Sequence, residues 1–250
     1  MTHRLYQLQD GGAYAWQLPV EASCAGMARS LLTSTLVSSG LHGGLIDAAA
    51  LAVSELATNA FVHATCDGPR QSPRTVELWT YARLCPKPQL VVSVFDTCRQ
   101  WKNGRRDGDA FEEHGNGLTI VSAVTAGWDV HLTRARLAAS PTPGKAVRCA
   151  LPLPRNWLRP YAADVTPAQA ARRLADMLTV RGVPIELRGG LNGVYLLRVP
   201  PDLNVWIEPR AFAFKPGNAD RARPPFFDLE SVTESVLHHH EQHAADSDPH

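Results

Sequence analysis

The sequence lacks an excess of charge of either sign. Lysine and arginine together number 25 and aspartate and glutamate 24, which leaves a formal net charge of +1. Without a strong positive field, the chain has no general electrostatic means of holding a polyanion or an anionic membrane surface. We therefore expect no direct binding to nucleic acid and no association with a membrane.

Long hydrophobic runs are also missing. The most apolar stretch, residues 45–64, is broken by polar side chains, which predicts a core helix rather than a membrane span. These interruptions are Asp47, Glu55, Asn59 and His63. The first ten residues carry a histidine and an arginine with no apolar run behind them. We therefore expect no secretory signal and a cytoplasmic location.

Closely spaced pairs of cysteines are absent from the sequence as well. The five cysteines are odd in number, widely scattered and form no C-x-x-C pair. This pattern predicts reduced thiols, and it favours neither a disulfide framework nor a zinc site. With 44% hydrophobic and 20% charged residues, the composition is that of a folded protein rather than a disordered one.

The 250 residues suit two unequal domains. Hydrophobic periodicity and breakers predict a first domain over residues 1–155, which ends in a proline-containing stretch. Its predicted strands are 14–18, 75–83, 89–95, 128–133 and 146–153, and its predicted helices are 21–38, 45–64 and 118–125. A small helix-plus-sheet module is predicted over 156–228. We expect this module to dock a partner or to cover part of the first domain.

The small module begins with a clear helix signal, because Thr166 can cap the helix and Pro167 suits its first position. Its predicted strands are 184–187, 193–199 and 204–207. Residues 229–250 are predicted to form a helix to about residue 239, followed by a polar tail. The histidines there allow a metal-binding interpretation, but a solvated tract is the expectation. They are His238, His239, His240 and His243.

Three polar residues of the second predicted helix share one face. Glu55, Asn59 and His63 are spaced four residues apart, so their side chains lie above one another. A neutral amide oxygen suits a Mg²⁺ ion that keeps waters and phosphate oxygens as its other ligands. A carboxylate one turn earlier can accept a proton. The ordinary alternative is the solvent face of an amphipathic helix.

A second candidate site lies downstream. Gly115, Asn116, Gly117 and Leu118 open a predicted helix, where backbone N–H groups can face a phosphate; the alternative is a simple turn. Asp96 ends an apolar strand, where a turn or cap role is the common alternative.

These elements, in this order, resemble the motifs of the GHKL ATPase superfamily, most closely its bacterial anti-sigma-factor serine kinases. The resemblance covers residues 14–153. Residues 54–63, SELATNAFVH, look like the family's N-box, and residues 114–121, HGNGLTIV, look like its second glycine box.

The resemblance implies an α+β Bergerat fold, a two-layer α/β sandwich in which ATP lies between helices and a mixed sheet. Glu55 would be the general base, Asn59 would bind Mg²⁺, and Asp96 would read the adenine amino group. Phosphates would lie at Gly115, Asn116, Gly117 and Leu118. Residues 97–114 would be a lid, whose Arg99, Lys102, Arg105 and Arg106 could meet phosphate or stay solvated.

Two features depart from the family pattern. Residues 97–100, TCRQ, lack the glycines of D-x-G-x-G, and Ala146 stands where a threonine commonly assists the adenine-reading aspartate. Two functions therefore stay open. The first is a Mg-ATP-dependent serine/threonine kinase that regulates a sigma factor or its antagonist protein, with a homodimer possible. The alternative is a non-catalytic protein-binding module with a degenerate nucleotide site.

Overall fold

The computed structural model of the protein describes residues 7–63, 74–99, 116–154, 156–159, 165–215 and 221–246. Within these ranges the chain forms two antiparallel sheets, each with its own hydrophobic core. The predicted α+β class is confirmed, with a helix layer over the first sheet and a smaller helix-plus-sheet unit after it. The predicted domain boundaries, at residues 155 and 228, stay predictions.

The first sheet contains five strands in the order β1-β2-β3-β5-β4. They are β1 Ala13–Leu18, β2 Val76–Arg83, β3 Gln89–Asp96, β4 Trp128–Arg134 and β5 Pro143–Pro152. Every neighbouring pair among them is antiparallel. The expectation of a mixed sheet is therefore wrong for the described strands. β2 and β3 form one hairpin, and β4 and β5 form another. β5 lies next to β3 and runs antiparallel to it.

Three helices cover one face of this sheet, which we call the helix face. They are α1 Cys24–Ser38, α2 Gly44–His63 and α3 Asn116–Val124. By length and composition Gly44–Val62 is apolar enough to cross a membrane. Here, however, α2 lies in the centre of the domain, where it contacts α1, α3 and the sheet. Val53, Leu56 and Ala57 are fully buried in its core.

The second unit consists of α4 Pro167–Val180 and a sheet in the order β6-β7-β8-β9. Its strands are β6 Glu186–Gly189, β7 Tyr195–Val199, β8 Leu203–Ile207 and β9 Phe212–Ala213. The helix start predicted at Thr166 is confirmed, because its side chain and that of Gln169 form a capping box with Pro167 in the first turn. β9 was not predicted, since two residues carry too little periodicity.

The last helix, α5, runs from Leu229 to Asp246 and joins the two units. One side of it packs into the second core through Val232, Val236 and Leu237. The other side lies against the first sheet, on the surface that we call the far face. The small module also contacts this sheet directly, because the Arg181 carbonyl after α4 accepts a hydrogen bond from Arg134 Nη1 at 2.8 Å; it therefore covers part of the first domain, one of the two outcomes expected. The predicted helix end near residue 239 and the solvated histidine tract are wrong, since His239 is buried.

Candidate functional site

Glu55, Asn59 and the beginning of α3 lie together on the helix face. A Cβ atom built on Gly117 would stand 2.9 Å from Glu55 Oε2 and 3.6 Å from both terminal atoms of the Asn59 side chain. Both side chains are half-buried, so they remain partly open to solvent. The four-residue spacing read from the sequence and the packing of α2 on α3 thus bring a carboxylate, an amide and a helix N-terminus to one place.

The absence of a side chain at position 117 permits this close approach. A contact of 2.9 Å is shorter than a methyl group tolerates, so any side chain here would push Glu55 away. Without one, the backbone of the first turn of α3 stays accessible beside the two polar side chains. Free N–H groups in the first turn of a helix, together with its dipole, form a binding site for anions such as phosphate.

The side chain of Asp96, at the end of β3, is buried rather than exposed to solvent. It is 1% exposed, and its Oδ1 accepts a hydrogen bond from Lys145 Nζ at 2.7 Å. The same oxygen accepts the backbone N–H of Cys98 at 2.9 Å, and Lys145 Nζ also donates to the carbonyl of Cys98. A buried ammonium group therefore contacts one oxygen of the carboxylate that, by the family resemblance, would read the adenine amino group.

The sheet register explains why lysine is found there. Asp96 pairs with Lys145 and Phe95 pairs with Ala146, and side chains alternate between the faces of a strand. Lys145 and Asp96 therefore share the helix face, whereas Ala146 packs with Phe95 and Trp79 on the far face. The expectation that Ala146 stands beside Asp96 is wrong. Extending the predicted strand pair by one residue would have revealed Lys145.

The strand end carries a second departure from the sequence expectation. Cys98 is disulfide-bonded, whereas Cys24, Cys85 and Cys149 are free. Reduced thiols are therefore confirmed for these three and wrong for Cys98. Burial raises the pKa of Cys24 to about 11 and that of Cys149 to about 12, which makes both thiols poor nucleophiles at neutral pH.

Sequence reasoning missed a cation beside the site. Arg29 on α1 donates from Nε to Ser54 Oγ at 2.9 Å, and Ser54 Oγ donates in turn to the carbonyl of Ala50 at 2.6 Å. Ser54 directly precedes Glu55, so the guanidinium is held next to the carboxylate-bearing turn of α2. Arg29 has no periodic or motif signal of its own; only the packing of α1 on α2 places it here.

Two predicted residues have other contacts, and several more lie outside the described part of the chain. Leu118 is half-buried and packs against the first core. Arg99 pairs with Glu241 of α5, so its basic group is already neutralised. Gly115, most of the predicted lid, and the side chains of Asn116 and His63 lie outside the described residues.

The described residues fit one end of a Mg-nucleotide better than the other. Asn59 supplies a hard, neutral oxygen of the kind that Mg²⁺ accepts, and the glycine at 117 leaves the N-terminus of α3 open. At Asp96, by contrast, the carboxylate is committed to Lys145. The metal and phosphate end therefore fits. At Asp96, Oδ1 already accepts hydrogen bonds from Lys145 and from the Cys98 N–H, and adenine recognition by Asp96 stays a prediction.

Comparison with known proteins agrees with the architecture. Residues 18–138 match the histidine kinase-like ATPase domain family, a stretch that begins in β1 and includes α1–α3 with Glu55, Asn59 and Asp96. The match supports the GHKL superfamily for this part of the chain. No curated protein matches the chain.

Proposed function

We propose, from the histidine kinase-like ATPase domain in residues 18–138, that the protein binds Mg-ATP and phosphorylates a serine or threonine of an antagonist protein. It would thereby regulate a sigma factor. The observation that carries this proposal is the convergence of Glu55, Asn59 and the glycine opening of α3. A kinase that phosphorylates a hydroxyl needs little more than a metal ligand, a phosphate site and a proton acceptor.

Each residue has one task in this proposal. Mg-ATP supplies the phosphoryl group when it is bound. Asn59 would hold the metal through its amide oxygen, and the N–H groups of the first turn of α3 would bind phosphate oxygens. Glu55 would accept the proton of the attacking hydroxyl as the new P–O bond forms and the bond to the β-phosphate oxygen breaks.

A second candidate function has its own support. The buried pair of Lys145 and Asp96 engages one oxygen of the carboxylate expected to read adenine, and α5 of the second unit packs on the far face rather than on α1–α3. The domain would then act as a non-catalytic binding module with a degenerate nucleotide site. Losing one hydrogen bond to a buried polar group costs about 1–3 kcal/mol, or about one to two decades of affinity.

Phosphoryl transfer separates the two candidates. The full chain is incubated with γ-labelled Mg-ATP and with a protein that co-purifies with it, and label on serine or threonine is measured for wild type, Glu55→Gln and the neighbouring control Thr58→Ala. We expect wild type and Thr58→Ala to label the partner protein, and Glu55→Gln not to label it. Partner binding that needs no nucleotide and is unchanged in Glu55→Gln, without any labelled product, would instead establish the binding module.

A further inference from the structure

Away from the first domain's site, two histidines and a carboxylate meet where α5 ends against the second sheet. His239 and His243 are one helical turn apart, with ring centroids separated by 4.4 Å. Asp202 lies in the turn between β7 and β8. Its Oδ1 is 2.9 Å from His239 Nε2 and 3.6 Å from His243 Nε2. One potential ligand atom from each of the three side chains lies within 4.8 Å of the others.

We propose that this cluster binds a divalent transition metal ion of the Zn²⁺ class. Two imidazoles and one carboxylate are a donor set that zinc uses, with a water or another group in the fourth position. With bonds of about 2.0–2.1 Å, donors of a tetrahedral zinc site are about 3.3 Å apart. Both distances to Asp202 lie close to that value.

The exposure of the three side chains suits the entry of an ion. Asp202 is 65% exposed and His243 40%, whereas His239 is only 9% exposed. The buried histidine is a fixed ligand, while the two exposed side chains can rotate to complete the coordination. Solvent then reaches the ion from one side, which leaves room for a water ligand.

The neighbouring residue helps to fix the geometry. His240 hydrogen-bonds the backbone carbonyl of Pro200, so the turn that carries Asp202 is already held against α5. A bound ion would add a second connection between this turn and the end of the helix. The ion would thereby stabilise the last turns of α5, which also carry Glu241, the ion-pair partner of Arg99 and Arg134.

Without a metal, the same residues would form an ordinary hydrogen bond between His239 and Asp202. A Zn²⁺ titration distinguishes a metal site from this hydrogen bond. Calorimetric titration of the full chain with Zn²⁺, in buffer containing excess Mg²⁺ and no nucleotide, compares wild type with Asp202→Asn and His243→Ala. Both substituted residues are exposed, so each variant should fold, and far-ultraviolet circular dichroism checks this.

We expect one equivalent of Zn²⁺ to bind wild type and to raise its unfolding temperature, reversibly on adding a chelator. Each variant should bind about 100-fold more weakly or worse, since even outer-sphere partners of metal ligands contribute 10–100-fold. His42→Ala, which removes an exposed histidine between α1 and α2, is the matched control and should change nothing.

The exposed thiol of Cys85 is the main competing ligand. Cys85→Ser should leave Zn²⁺ binding intact, and the Co²⁺-substituted protein should show no thiolate-to-metal charge-transfer band. Absence of binding to wild type, equal binding by wild type and both ligand variants, or loss of binding in Cys85→Ser would each overturn the proposal. None of these readouts depends on nucleotide binding by the first domain.

Discussion

The two faces of the first sheet are buried by different physical means. On the helix face the contacts are mostly apolar, and the polar groups include the buried Asp96–Lys145 pair at the end of β3 and the edge where Glu55, Asn59 and α3 meet. On the far face α5 is held through buried ion pairs and hydrogen bonds. Glu234 and Glu241 are each 1% exposed, and both carboxylates contact arginines. The contrast separates a face that can open to a ligand from a face that is closed by the protein itself.

Glu234 shows how the far face tolerates a buried charge. Its Oε1 accepts hydrogen bonds from Arg136 at 2.8 Å and Arg181 at 2.6 Å, and its Oε2 accepts one from Thr133 at 2.8 Å. His131 Nε2 lies 3.2 Å from Oε2. Burial alone would raise the pKa of Glu234, but the two arginines outweigh it and hold this pKa well below its usual value.

The far face also fixes α5 at both ends. Before its N-terminus, Asp228 accepts the backbone N–H groups of Leu84 at 2.6 Å and Cys85 at 2.8 Å, both in the turn after β2. Near its C-terminus, Glu241 accepts a hydrogen bond from Arg134 at 2.5 Å and pairs with Arg99. Arg99 follows the strand end that carries Asp96, so α5 reaches from the second unit to the border of the candidate site.

Removing the central carboxylate of the far face should have the largest effect on stability. We expect Glu234→Ala to lower the free energy of unfolding by about 3–5 kcal/mol, because two buried arginines lose their partner. Urea unfolding measures this. Glu186→Ala is the control, since Glu186 pairs with Arg188 at a site where both side chains are more than half exposed; it should change stability by less than about 1 kcal/mol. Equal losses of stability in Glu234→Ala and Glu186→Ala would contradict a far face that is held closed by buried ion pairs.

Asp228 should produce a pH dependence of opposite sign to that of Glu234. Burial raises its pKa to about 6, despite the two backbone N–H groups that lower it. The folded state therefore holds this proton more tightly than the unfolded state. The resulting stabilisation is complete below the unfolded pKa near 3.8 and is lost as pH rises through about 6.

The measurement is the free energy of unfolding of wild type minus that of Asp228→Asn, between pH 4 and pH 7. We expect this difference to fall by up to about 3 kcal/mol as pH rises, since each pKa unit corresponds to about 1.4 kcal/mol. Histidines that titrate in the same range are present in both proteins and cancel. A difference that stays constant over this range would show that Asp228 does not carry the effect.

The smallest effect on stability is expected on the helix face, at the candidate site. Gly117→Ala adds a methyl group close to Glu55 Oε2. The unfolding free energy should change by less than about 1 kcal/mol, because alanine is a better helix former than glycine and Glu55 can move. Mg-ATP binding should nevertheless weaken. Gly44→Ala, at a helix start with open space around it, should leave binding unchanged; equal behaviour of the two variants would contradict the predicted role.

The helix face could be predicted largely from sequence, because each of its signals is local. The spacing of Glu55 and Asn59 sets their common face. In the second unit, Thr166 with Pro167 marks the start of α4 by an equally local signal. The far face could not be predicted in this way. Glu234 contacts residues about 50–100 positions away, and such contacts leave no signal in the local sequence pattern. For the same reason the helix prediction ended near residue 239, where histidines that looked solvated are packed against Asp202 and Pro200.

The candidate site contains residues that sequence motifs identify and one residue that they do not. Sequence motifs pointed to Glu55, Asn59 and Gly117, and the structure brings these three together. Lys145 was missed, although it is opposite Asp96 in the sheet, because a strand register must be set to one residue before the partner of Asp96 can be named.

The most direct test is a Mg-ATP titration of the full chain by calorimetry, comparing wild type, Asn59→Ala and the neighbouring exposed-position control Thr58→Ala. Wild type and Thr58→Ala should bind Mg-ATP with the same affinity, and removing Mg²⁺ should weaken both. Asn59→Ala should bind Mg-ATP at least about tenfold more weakly than wild type, which is equivalent to about 1.4 kcal/mol of binding free energy. Negligible binding that is indistinguishable between wild type and Asn59→Ala would contradict a nucleotide site on the helix face.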